Sequence, residues 1–237
     1  MKKPFFLKAV LTSFLVVFFV APAVMAYTIQ TGPGYGKYSA DDAGEFTVLP
    51  VGNSTFWTSV LSLYNPQTKN IHHDGTFQTF CLEYFEYIDT NTTYTADFNN
   101  KAIDGGVGPT GDPISVGTAW LYHQFESGTL EGYNYTDTDD RLESAGELQL
   151  TIWWLEGEIQ NEPFNDFTTL VKGLSNYMDG NNGKYPVSVL NLYYRDENAQ
   201  DLLVCDPAPV PEPGTMLLVG SGLIGLAGLA RKKFHKK

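Results

Sequence analysis

Two uncharged apolar runs, residues 9–20 and 215–230, stand near the ends of the 237-residue chain, each beside basic residues. They leave the residues between them to form any water-soluble fold. The first run follows Lys2, Lys3 and Lys8 and leads into Ala-Pro-Ala-Val-Met-Ala at 21–26, where Val24 and Ala26 flank Met25. A basic start, a short apolar stretch and small residues at the exit predict a secretory signal peptide over 1–26, cut between Ala26 and Tyr27. The run is short of the ~20 residues a spanning helix needs. The second run would rise about 24 Å as a helix, slightly less than a ~30 Å hydrocarbon core. It is expected to span the membrane over 215–230, with the Arg231-Lys232-Lys233 cluster on the cytoplasmic side.

Between these ends, residues 27–210 carry a charge that the whole-chain value of −12 understates. All 27 acidic residues except Glu212 fall here, against seven basic ones, for a net −19. That charge excludes an electrostatically driven nucleic-acid binder and fits a soluble surface or matrix protein. Two cysteines exclude a disulfide-dense scaffold and a cysteine-rich zinc module, so no metal or cofactor is expected. Alternating prolines over 205–210 read as an extended linker, which leaves one domain over 27–204.

Periodicity within that domain predicts strands over 45–51 and 77–88 and helices over 115–126, 140–159 and 161–179. A final pair of strands is expected over 187–194 and 200–205. The 140–159 helix has the clearest pattern. Leu142, Ala145, Leu148, Ile152, Leu155 and Ile159 form one apolar stripe, and Asp140 with Glu143 resembles a capping box. Strands, then helices, then strands indicate an α+β class.

The C-terminal arrangement of Pro211-Glu212-Pro213, a short glycine-containing span and a basic end resembles the PEP-CTERM sorting signal of Gram-negative surface proteins. That resemblance, which covers 211–237, implies an exosortase-type enzyme as processing partner. It also implies transient inner-membrane anchoring and a final place at the cell surface or in an extracellular matrix.

A second resemblance lies inside the domain. Phe80-Cys81, followed by Gln149-Leu150-Thr151-Ile152-Trp153, is similar to the Cys–Gln thioester domains of bacterial adhesins, and Ala119-Trp120-Leu121-Tyr122 is similar to a helix segment of that group. The family often has Thr before the Gln and Ala before the Ile, where this chain has Leu148 and Thr151. The resemblance covers roughly 77–204. It implies that Cys81 attacks the Gln149 carboxamide, expels ammonia and leaves a thioester that an amine- or hydroxyl-bearing partner opens by covalent attachment. Phe80, Trp153 and Trp154 would keep water from the bond. Such a chain is a single-use reagent, not an enzyme, and its setting would be adhesion or a biofilm matrix. Glu83, His72 and His73 are near Cys81 in sequence.

Other readings of the same residues are a passive matrix protein with a Cys81–Cys205 disulfide, or a cysteine hydrolase drawing its base from His72, His73 or His123. Glu143, Glu147, Glu156 and Glu158 read as a solvated helix face, and the acidic 137–140 stretch as a helix-capping loop in preference to a calcium site.

Overall fold

A computed structural model describes residues 26–32, 39–40, 43–52, 54–68, 75–103, 113–136 and 139–207. Residues 1–25 of the predicted signal peptide, the sorting segment with its predicted helix, and His72 and His73 lie outside them. The elements run β1 (Tyr27–Thr31), β2 (Ser39–Ala40), β3 (Ala43–Gly44), β4 (Phe46–Pro50), α1 (Thr55–Leu63), β5 (Phe77–Thr79) and β6 (Thr93–Asn99). Then follow α2 (Val116–Glu126), α3 (Asp139–Leu155), α4 (Asp166–Lys172), β7 (Val187–Tyr194), β8 (Glu197–Asn198) and β9 (Leu202–Cys205). None of the described helices is long and apolar enough to cross a membrane.

Seven strands form one antiparallel sheet in the order β5-β4-β1-β6-β7-β8, with β9 beside β8 on the same edge of β7. A two-residue turn at Arg195 and Asp196, with φ of 54° and 66°, carries β7 into β8. Positive φ at both positions is what a tight hairpin requires. The sheet curls back on itself. Leu82 N–H donates to Asp201 O at 3.0 Å, and Leu203 N–H donates to Phe80 O at 3.2 Å. The chain just beyond β5 is thereby joined to β9, nearly closing a ring. Ile29, Val48, Phe77, Ala96, Leu190 and Leu203 are fully buried within this framework.

Helices α2, α3 and α4 pack together beside the sheet. Side chains start three of the four described helices. Ser54 accepts from Trp57 N–H, Ser115 from Thr118 N–H and Asn165 from Thr168 N–H, which is the ordinary N-cap bond. Gly117 lets α2 approach its neighbours closely, because a Cβ there would lie 2.8 Å from Val171 Cγ2 and 3.0 Å from Leu155 Cδ2. Gly128, at φ +74°, ends the turn after α2.

The predicted elements differ from these in instructive places. The 77–88 strand stops at Thr79 because β4 begins only at Phe46, the partner of Thr79, and leaves later residues without a strand on that side. Tyr84, Phe85 and Tyr87 are exposed. The 161–179 helix shrinks to Asp166–Lys172, with Phe164 and Met178 in solvent. Helix α3 starts at Asp139, so Asp140 lies in the first turn and is not the cap. Acids there still complement the positive end of the helix. Glu156 is not on a solvated face: it is buried, and its Oε1 accepts Ser115 N–H at 3.1 Å. β1, β6 and α1 have no counterpart among the predicted elements.

Candidate functional site

Cys81 sits on the seam where the sheet closes, opposite Leu202 of β9. The bonds to β9 come from its neighbours Phe80 and Leu82, so Cys81 is a non-hydrogen-bonded partner and its own N–H and C=O face away from β9. On that side β4 has ended, and helix α3 supplies the missing partner. Cys81 N–H donates to Gln149 Oε1 at 2.9 Å, and Gln149 Nε2 donates to Cys81 O at 2.8 Å. The carboxamide thus takes the place of a neighbouring strand. Gln149 lies on the buried side of α3 with Ala145, Leu148 and Ile152 and is itself fully buried. A polar side chain tolerates that position because both of its polar atoms are bonded.

The reciprocal pair holds the Gln149 carbonyl carbon beside the residue that carries the thiol. The carbonyl oxygen already receives an N–H, the kind of donor that stabilises an oxyanion formed by attack at that carbon. The thiol itself is not activated. Burial, and Glu83 when it is ionised, push its pKa well above the ordinary range, so it stays protonated, and the thiolate is the nucleophilic form.

The remaining sequence-predicted residues lie at different distances from this pair. Phe80 is fully buried, with its ring edge-on to Phe125 at 5.0 Å and to Tyr122 at 6.5 Å. Trp153, one helical turn beyond Gln149, is buried and meets Tyr84 edge-on at 4.9 Å. Its Nε1 has no hydrogen-bond partner among the described residues. Trp154 is about 140° round the helix from Gln149, given ~3.6 residues per turn, and stacks on Tyr177. Ala26 is exposed, and Tyr27 begins β1.

Cys205 is not joined to Cys81, which corrects the disulfide reading: both are buried free thiols. Leu202, not Cys205, faces Cys81 across the seam. Three further residues of strand place Cys205 roughly 10 Å along, beyond the Cα separation that a disulfide bridges. Cys205 N–H donates to Tyr64 OH at 3.0 Å, within a group that includes Tyr122 and Glu126. His123 bonds Glu126 through Nδ1 at 2.9 Å and so belongs to the Cys205 side of the domain. No group of three or more His, Cys, Asp or Glu side chains among the described residues is arranged to hold a metal.

Two residues that sequence reasoning did not single out complete the neighbourhood. Gln200 repeats the Gln149 arrangement two residues further along. Glu83 N–H donates to its Oε1 at 2.9 Å, and its Nε2 donates to Glu83 O and Glu86 O, each at 2.7 Å. Asp201 N–H donates to Glu83 Oε2 at 2.9 Å. The available signal was Glu83 itself, an acid amid the apolar and aromatic residues of 77–88.

Residues 209–232 match the family model of the PEP-CTERM protein-sorting motif. No curated protein and no solved structure matches the chain. The motif marks an exported surface protein that an exosortase processes, with transient C-terminal membrane anchoring in a Gram-negative bacterium.

Proposed function

We propose that the exported domain forms an internal Cys81–Gln149 thioester and uses it to attach covalently to an amine- or hydroxyl-bearing component of a surface or matrix. In this reaction Cys81 Sγ bonds to Gln149 Cδ, the Cδ–Nε2 bond breaks, and the thiol proton leaves with the nitrogen as ammonia. A partner amine later takes the acyl group and returns the thiol. Each molecule reacts once, so the activity is that of a reagent and not an enzyme.

The observation that carries this reading is the reciprocal bond pair between the Cys81 backbone and the Gln149 carboxamide. It supplies proximity and an N–H at the carbonyl oxygen, two requirements for attack on a poor electrophile such as an amide. Burial of both residues supports it further, because a thioester survives only where water is kept away.

A second reading has its own support. Gln200 clamps the Glu83 backbone with the same reciprocal geometry and no thiol beside it. Gln149 would then be a strand-edge clamp in a passive matrix protein with two buried thiols.

Intact mass of the purified chain before and after methylamine separates the readings. The expected result is a mass lighter by one ammonia, followed by gain of one methylamine at Gln149. A full unmodified mass that methylamine leaves unchanged would establish the clamp instead.

A further inference from the structure

A protonated thiol beside a poorly leaving amide nitrogen needs a group that takes one proton and gives another. Glu83 and Asp201 are two buried acids along the seam beside Cys81. Glu83 follows Cys81 by two residues. Asp201 immediately precedes Leu202, the residue that faces Cys81 across the seam. Both are almost completely buried, at 3% and 1% exposure.

Their bonds are unequally distributed. Asp201 Oδ2 accepts from Asn191 Nδ2 and from Ile103 N–H, each at 2.7 Å. Glu83 Oε2 accepts Asp201 N–H. Glu83 Oε1 and Asp201 Oδ1 are buried and have no partner among the described residues. Two carboxyl groups buried side by side do not readily both ionise, so the pair retains one proton. Asp201, with two donors on one oxygen, is the better anion, and Glu83 is the better acid. The titration directions agree: burial pushes Glu83 up to about 10 and Asp201 up to about 6. Among the described residues, the titratable groups that bear on the pair include Cys81, Glu86 and Tyr193, all of them acids. A bound cation is a poorer explanation. Beside the pair, Asn191 Oδ1 also lacks a partner among the described residues, and three oxygens are about half of what calcium takes.

We infer that Glu83 and Asp201, sharing one proton between two buried carboxyl groups, form the acid–base relay that serves Cys81 when the thioester forms. The carboxylate of the pair takes the Sγ proton as sulfur bonds to Gln149 Cδ. The carboxylic acid of the pair gives its proton to Nε2 as the Cδ–N bond breaks. Ammonia departs with a net gain of one proton, and the pair again holds one. Aminolysis runs the same path in reverse, so the relay also serves attachment.

The proposal rests on the thioester reading, and the test separates the two. The purified full-length chain and its Glu83→Gln and Asp201→Asn variants are followed by intact mass for loss of ammonia and for the rate of methylamine uptake. The carboxamide of the Glu83→Gln variant retains an acceptor for Asp201 N–H and a donor for Asp201 Oδ1, so it preserves the local bonds. The expected result is an ammonia-deficient wild type, with either variant slowed by about a hundredfold or more, the scale of general acid–base catalysis. Wild-type rates in both variants would overturn the relay and leave the thioester standing. A wild type with no ammonia deficit would overturn the thioester and the relay with it. Should the variants not fold, the wild-type rate against pH decides. A bell-shaped profile supports a pair that must hold one proton, and a profile that follows only the ionisation of methylamine overturns it.

Discussion

At the residue scale, what Gln149 does for the fold is separable from the thioester proposed for it. Its carboxamide satisfies one buried N–H and one buried C=O of Cys81. Replacing it with leucine fills the space and strands both groups, at about 1–3 kcal/mol for each unsatisfied group. In the chain that has not formed a thioester, Gln149→Leu should therefore lose about 2–6 kcal/mol in a urea titration. Cys81→Ala retains the backbone groups and their partner. Its loss should be about 1 kcal/mol for the missing sulfur, plus whatever the covalent bond itself contributes. A Gln149→Leu loss as small as that would show that the clamp is not part of the fold. Cys81 and Gln149 were legible in the sequence because each sits in a short recognisable context. Asp201 was not, because it acquires its role from Glu83, 118 residues away in the chain, and no local pattern announces such a pairing.

The same division holds for the elements. Helix α3 was legible because its apolar stripe repeats at helical spacing and buries Ala145, Leu148, Ile152 and Leu155. β6 alternates Tyr94, Ala96 and Phe98 against polar residues, but its polar composition hid a central position between β1 and β7. What fixes α3 against the sheet was also hidden. Arg141 Nε donates to Glu45 Oε1 at 2.9 Å, and Arg141 Nη2 donates to Glu45 Oε2 at 3.0 Å. Tyr133 OH and Gln78 Nε2 donate to the same carboxylate. Glu45, just before β4, thus ties the sheet to the first turn of the helix that presents Gln149. Removing one partner of a buried ion pair leaves the other unpaired, at about 3–5 kcal/mol. Arg141→Met should lose about that much stability in a urea titration, while Glu45→Gln with Arg141→Met should recover a good part of it. A double variant no better than the single one would mean that the charge on Glu45 is not what suffers.

The whole molecule should respond to pH in a direction set by its buried acids and not by its surface alone. Glu83 rises from 4.5 to about 10 through burial and the neighbouring Asp201. Its native state therefore holds a proton that the unfolded chain releases above about 4.5. That stability is complete below about 4.5 and is lost progressively as pH rises towards about 10. Asp201 acts in the same direction between 3.8 and about 6. From about pH 6 to about pH 9, the Glu83 proton should make the urea midpoint fall as pH rises. The net charge of −19 on residues 27–210 gives a dependence of the same sign as acids ionise. Salt distinguishes the two, because exposed charges are screened over about 3 Å at 1 M while buried pairs are screened much less. At about 1 M salt the wild type should keep its downward slope, and Glu83→Gln, which has no proton to lose, should be nearly flat. Coincident slopes under those conditions would mean that Glu83 is ionised in the folded protein, and the shared proton on which the relay depends would not exist.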